Sequence, residues 1–100
     1  MKYNKLVRDK IPEYIKSKGG NAKIHIADDA EYWQKLKEKL HEEVGEFTEA
    51  GSIEEMADVL EVIEAVVDFK KIDKDELQKV KNKKADERGK FKDKIILEES

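Results

Sequence analysis

Apolar residues recur along this chain at intervals that favour helices. Trp33, Leu36, Leu40, Val44 and Phe47 return every three or four positions, and so do Met56, Val59, Leu60, Ile63, Val66 and Val67. That spacing gathers them on one face of an α-helix. Asp28 or Asp29 supplies the cap of the first long helix, and Gly51 closes it. Ser52-x-x-Glu55 opens the next helix, so the connection is short and an antiparallel helical hairpin is expected. Asp73-x-x-Glu76 starts a further helix bearing Leu77 and Val80, with Gly89 as its stop. Upstream, Leu6, Val7, Ile11, Tyr14 and Ile15 show helical spacing before Gly19-Gly20. Pro12 fits a helix that begins near Asp9, because a proline in the first turn removes no intrahelical bond. Lys23-Ile24-His25-Ile26 alternates instead, and Ile95-Ile96-Leu97 is a short apolar run, so the reading adds a small two-stranded β annex that pairs them. The expected fold class is mainly all-α: one domain over residues 1–100, a hairpin or bundle of about four helices with that annex.

Polar residues interrupt the apolar faces in two places. Glu43 falls in line with Leu36, Leu40 and Phe47, and Glu55 with Val59, Val62 and Val66. A carboxylate on the packed side of a helix is costly unless something cancels its charge. Oxygen-ligated divalent cations do so. Glu43 and Glu46 are three apart, as are Glu55 and Asp58, so each pair shares a helix face. Across a short turn, both pairs are expected to face one inter-helix space. The ordinary alternatives are a capping-box role for Glu55, reaching back to Ser52, and plain surface charge for Glu42, Glu46 and Glu54.

Composition narrows the functional classes. The 100 residues are 38% hydrophobic and 45% charged, with 21 basic and 24 acidic side chains and a net charge of -3. Interleaved charges of this balance argue against nucleic acid as a partner. So short a chain with long amphipathic helices is expected to complete its core as a homo-oligomer, a dimer or tetramer. The lack of cysteine excludes disulfides and thiolate metal sites. No run reaches membrane-spanning length and the first residues lack a signal-peptide pattern, so a cytoplasmic protein without a membrane partner is expected.

The acidic blocks also carry a resemblance. Glu42-Glu43-x-x-Glu46 and Glu55-x-x-Asp58 lie within Lys39-Leu40-x-Glu42-Glu43-Val44-x-Glu46-Phe47 and Ala57-Asp58-Val59-Leu60-Glu61-Val62-Ile63. With the opening Tyr3-Asn4-Lys5-Leu6-Val7-Arg8-Asp9-Lys10-Ile11-Pro12 and the later Lys84-Ala85-Asp86-Glu87-Arg88-Gly89-Lys90-Phe91, the chain resembles the MazG-like all-α nucleoside triphosphate pyrophosphohydrolases. Within them it is most similar to the short phosphoribosyl-ATP pyrophosphohydrolase-like proteins. The resemblance implies Mg²⁺ dependence, with Mn²⁺ as a substitute, and cleavage of a nucleotide between its α and β phosphates. It implies Glu43, Glu46, Glu55 and Asp58 as metal ligands, and Glu42 as a further ligand or a base that orients water, so that Glu42 and Glu43 are the catalytic candidates.

Basic residues fit the same chemistry, since polyphosphate needs positive partners and arginine offers a bidentate fork. Lys84 and Arg88 are four apart at the end of the fourth helix, while Lys5 and Arg8 crowd the start of the first. These four are the candidate phosphate-binding residues. Trp33 belongs to the core stripe, His25 is expected to face solvent, and neither His25 nor His41 has a spacing that suggests zinc. Two other readings compete: a non-catalytic helical interaction module, and a dedicated phosphoribosyl-ATP hydrolase of histidine synthesis.

Overall fold

Four helices follow one another in the computed structural model, which describes residues 4–100: α1 (Ile11–Ser17), α2 (Asp29–Ala50), α3 (Ile53–Phe69) and α4 (Lys74–Arg88). Residues 1–3, including Tyr3 of the opening block, lie outside the described residues. Local chemistry sets the boundaries. The Asp28 carboxylate accepts the Glu31 amide at 2.9 Å, Ser52 Oγ accepts the Glu55 amide at 3.2 Å, and Asp73 accepts the Glu76 amide at 3.0 Å. Each bond satisfies a donor that the first helical turn leaves free. Gly51 adopts the left-handed conformation (φ 63°) and its amide returns to the Phe47 carbonyl at 2.7 Å. A residue with a Cβ is disfavoured there, which is why a glycine can end α2 so abruptly.

The tight turn lays α3 antiparallel along α2, and this hairpin is the main helix–helix packing among the described residues. Leu36, 1% exposed, and Val59 are the buried apolar residues at its centre. At the open end, Trp33 stacks on Phe69 with ring centroids 5.9 Å apart, while Tyr32 meets the same ring edge-on at 5.1 Å. Trp33 is half-buried, with the ammonium groups of Lys37 and Lys70 over its ring. α4 makes no extensive packing with either helix of the hairpin; Lys74 at its start pairs with Asp68 and Glu64 of α3. The radius of gyration is 18.0 Å, against about 13 Å for a compact domain of this length.

α1 starts at Ile11, close to the start expected near Asp9, and Leu6 and Val7 precede it, because the Pro12 ring would clash with the Arg8 carbonyl if the helix continued upstream. One expectation is corrected. The β annex does not form: no strand occurs among the described residues, and Ile24, Ile26, Ile95, Ile96 and Leu97 are all exposed. A two-stranded ribbon needs a layer against its apolar face to be stable in water, and nothing here covers one.

Candidate metal centre

The hairpin brings three acids together. One carboxylate oxygen from each of Glu43, Glu55 and Asp58 lies within 4.8 Å of the others. Glu43 projects from the middle of α2 toward α3 and is 6% exposed; Glu55 and Asp58 stand on the first turns of α3 and are half-buried. The Oε2 atoms of both Glu43 and Glu55 are buried with no hydrogen-bond partner. Buried carboxylate oxygens without partners are costly, and water, a proton or a cation must meet the need. Glu55 therefore serves as a cap through its backbone amide only, its side chain being turned into the inter-helix space.

Burial pushes the Glu43 carboxyl above the usual range, and repulsion from Glu46 adds to it. Glu46 is exposed and stands beside Glu43, outside the close triad but near enough to share its field. Lys39 partly offsets the burden, with its ammonium 3.4 Å from the other Glu43 oxygen.

A non-helical strap, residues 4–10, crosses the same side of the hairpin. Lys5 donates to Glu42 on α2 at 2.9 Å, and Arg8 donates to Asp58 on α3 at 2.7 Å, with Glu61 3.6 Å away. The Lys5 hydrogen bond holds the Glu42 carboxyl below its ordinary range and keeps it anionic; the same bond raises the Lys5 ammonium. Between strap and α2 lies a shallow hollow lined by Lys5, Leu6, Lys35, Glu38, Lys39 and Glu42. Its three ammonium groups are each paired with a glutamate: Lys5 with Glu42, Lys35 with Glu38, and Lys39 with Glu42 and Glu43.

Of the sequence candidates, Glu42, Glu43, Glu46, Glu55, Asp58, Lys5 and Arg8 converge on this region. Lys84 and Arg88 are exposed on α4, which stands clear, and neither pairs with these acids. Sequence reasoning assigned no role to Lys39 or Glu61. Their signals were the four-residue interval from Lys39 to Glu43 and the three-residue interval from Asp58 to Glu61. His25, exposed, bonds Glu31 at 2.9 Å and lies outside the site.

The donor set suits a hard divalent cation: oxygen ligands only, from short carboxylate side chains on two rigid helices. The unpartnered buried oxygens are what such an ion would satisfy. Among the described residues, no helix is long and apolar enough to cross a membrane.

Comparison with known proteins adds little to this geometry. An uncharacterized protein of Mycolicibacterium smegmatis is 49% identical over 45 residues, which is 45% of this chain and 46% of that protein. The match thus spans less than half of the relative's length. No family model matches the chain. No solved structure matches it either.

Proposed function

We propose that this chain is a Mg²⁺-dependent nucleotide pyrophosphohydrolase, cleaving a nucleoside triphosphate or related nucleotide between the α and β phosphates to release a monophosphate and pyrophosphate. The observation that carries the reading is the triad of Glu43, Glu55 and Asp58 with two buried oxygens lacking partners. Glu43, Glu55 and Asp58 would hold the ion, and Glu46 would complete the set from the next turn. Mg²⁺, or Mn²⁺ in its place, would supply there the positive charge that offsets the carboxylates and the Lewis acidity that phosphoryl chemistry uses. The other steps belong to the chain's own residues.

Arg8, already pointing its guanidinium at the acids, can grip phosphate oxygens through two parallel N–H groups. Lys5 and Lys39 line the adjoining hollow and can neutralise the rest of the polyphosphate tail. Glu42, kept anionic by Lys5, can orient a water and accept its proton as the water oxygen bonds to phosphorus and the anhydride oxygen departs with pyrophosphate. Nothing in the site reads a base. Substrate choice is therefore left to a panel, and the cytoplasm, where nucleotides and magnesium are both abundant, is the setting this chemistry favours.

The deciding experiment measures pyrophosphate release from ordinary and damaged nucleoside triphosphates and from phosphoribosyl-ATP, with Mg²⁺ and with chelator. Magnesium-dependent release that Glu43→Gln abolishes, with unchanged far-UV circular dichroism, is expected. Absence of release across the panel, or wild-type turnover by the folded variant, would refute the assignment and favour an interaction module.

A further inference from the structure

Two of the three triad acids already hold a positive side chain. Arg8 donates through Nη2 to Asp58 at 2.7 Å, and the Lys39 ammonium lies 3.4 Å from Glu43. Together they bring two positive charges to the carboxylates, which is the charge of one divalent ion. Glu55 pairs with no cation among the described residues, and its buried Oε2 has no partner, like that of Glu43.

Both cations also have a second carboxylate within reach, and in each case it stands outside the triad. Nη1 of Arg8 is 3.6 Å from Glu61, and the Lys39 ammonium is 3.6 Å from Glu42. Glu61 follows Asp58 by three residues on α3, so it shares that helix face about one turn further on. The strap has an attachment of its own besides Arg8, the 2.9 Å bond from Lys5 to Glu42. The Arg8 and Asp58 side chains are 56% and 39% exposed, and an ion pair so open to water is weak. Carboxylates between two helices thus carry an internal charge balance that is readily exchanged.

We infer that Arg8 and Lys39 are place-holding counter-ions, which a divalent cation displaces from Asp58 and Glu43 toward Glu61 and Glu42. The exchange keeps the strap attached through Lys5 and frees one edge of the Arg8 guanidinium. Arg8 becomes available to a phosphate only once the cation is in place, so the site loads in order, cation first and nucleotide second. Glu61 is a positioning residue that acts on the cation through Arg8. The inference rests on the cation site of the proposed function and not on hydrolysis.

Linkage is reciprocal: a cation that loosens Arg8 must bind more tightly when Arg8 is gone. In calorimetric titrations of the full chain with MgCl₂ at constant ionic strength, Arg8→Gln should tighten binding about two- to fivefold, the range set by releasing an exposed pair. Were Arg8 only a structural clamp, the same change would loosen it. Glu61→Gln should weaken binding by a similar factor, but should have no effect in the Arg8→Gln background, where the arginine it receives is missing. The wild type supplies a readout that needs no variant. Arg8 and Arg88 are the two arginines of the chain, so arginine-selective nitrogen NMR separates them. Rotation about the Arg8 Nε–Cζ bond should quicken severalfold as magnesium binds and not with KCl at equal ionic strength, while Arg88, exposed on α4, stays unchanged. No magnesium uptake at all would overturn the cation site and the inference together. Uptake with Arg8 unmoved, or with Arg8→Gln binding no more tightly than the wild type, would overturn the inference alone. So would a Glu61→Gln effect that persists without Arg8.

Discussion

Replacing Glu43 by glutamine should reverse the order of stability between two solutions that differ only in magnesium. Without a divalent ion, the wild-type chain carries a 6%-exposed carboxylate whose Oε2 has no partner, and Glu46 repels it. A buried polar group left unpaired costs about 1–3 kcal/mol, and more when charged. Glutamine keeps the shape, removes the charge and gains an NH₂ that can donate to the Glu46 or Glu55 carboxylate. Part of the desolvation cost persists, so the expected gain is about 1 kcal/mol, the lower end of that range. For a chain of this size that raises the melting temperature by roughly 4–8 °C. Magnesium at a hundred times its dissociation constant should then stabilise the wild type by about 2.7 kcal/mol. The variant, lacking a charged ligand, should respond far less. Circular dichroism melts at one fixed protein concentration, in EDTA and in saturating MgCl₂, read both effects. A variant that melts below the wild type in EDTA, or that gains as much from magnesium, would refute the reasoning.

Three further outcomes follow from the same geometry. The Glu43 carboxyl is raised by burial, so in EDTA its folded form favours the proton; wild-type stability should fall as pH climbs from the ordinary glutamate range through the raised value, and Glu43→Gln should flatten that slope. Arg8→Gln should weaken nucleotide binding and raise KM for pyrophosphate release. Its melting temperature should hardly move, because exposed ion pairs contribute only about 0–1 kcal/mol; unaltered KM would remove Arg8 from the site. Leu36→Ala should cost about 2–5 kcal/mol in urea titration, since Leu36 is the most fully buried side chain of the hairpin. A loss below 1 kcal/mol would show that the core lies elsewhere.

What the sequence disclosed was local chemistry. Asp28, Ser52 and Asp73 each use a side-chain oxygen to bind the amide three residues on, and Gly51 takes the left-handed turn. The three-residue interval in Glu55-x-x-Asp58 sufficed to place both acids toward Glu43 once the turn was known to be short. Patterns that needed a second layer misled. The alternation at Ile24 and Ile26 has meaning only if something packs against one face, and nothing does. Pro12, by contrast, marked the start of α1 correctly and left Leu6 and Val7 to the strap. For Lys84 and Arg88, the four-residue interval fixed a shared helix face but not where that helix would point. The direction of α4 depends on the connection from Lys70 to Asp73, where Lys71 takes a positive φ of 55°, and no periodicity encodes that.

Gly51 sets more than the end of a helix. Because one residue turns a helix by about 100° and advances it 1.5 Å, the span from Glu43 to Glu55 works as a ruler whose zero is this turn. Lengthening the chain after Gly19 or beyond Gly89 would shift nothing at the carboxylates. One residue added between Ala50 and Ser52 would force α3 either to unwind locally or to swing Glu55 and Asp58 out of step with Glu43. Tolerance to insertion should therefore be lowest at a position that bears no reactive group.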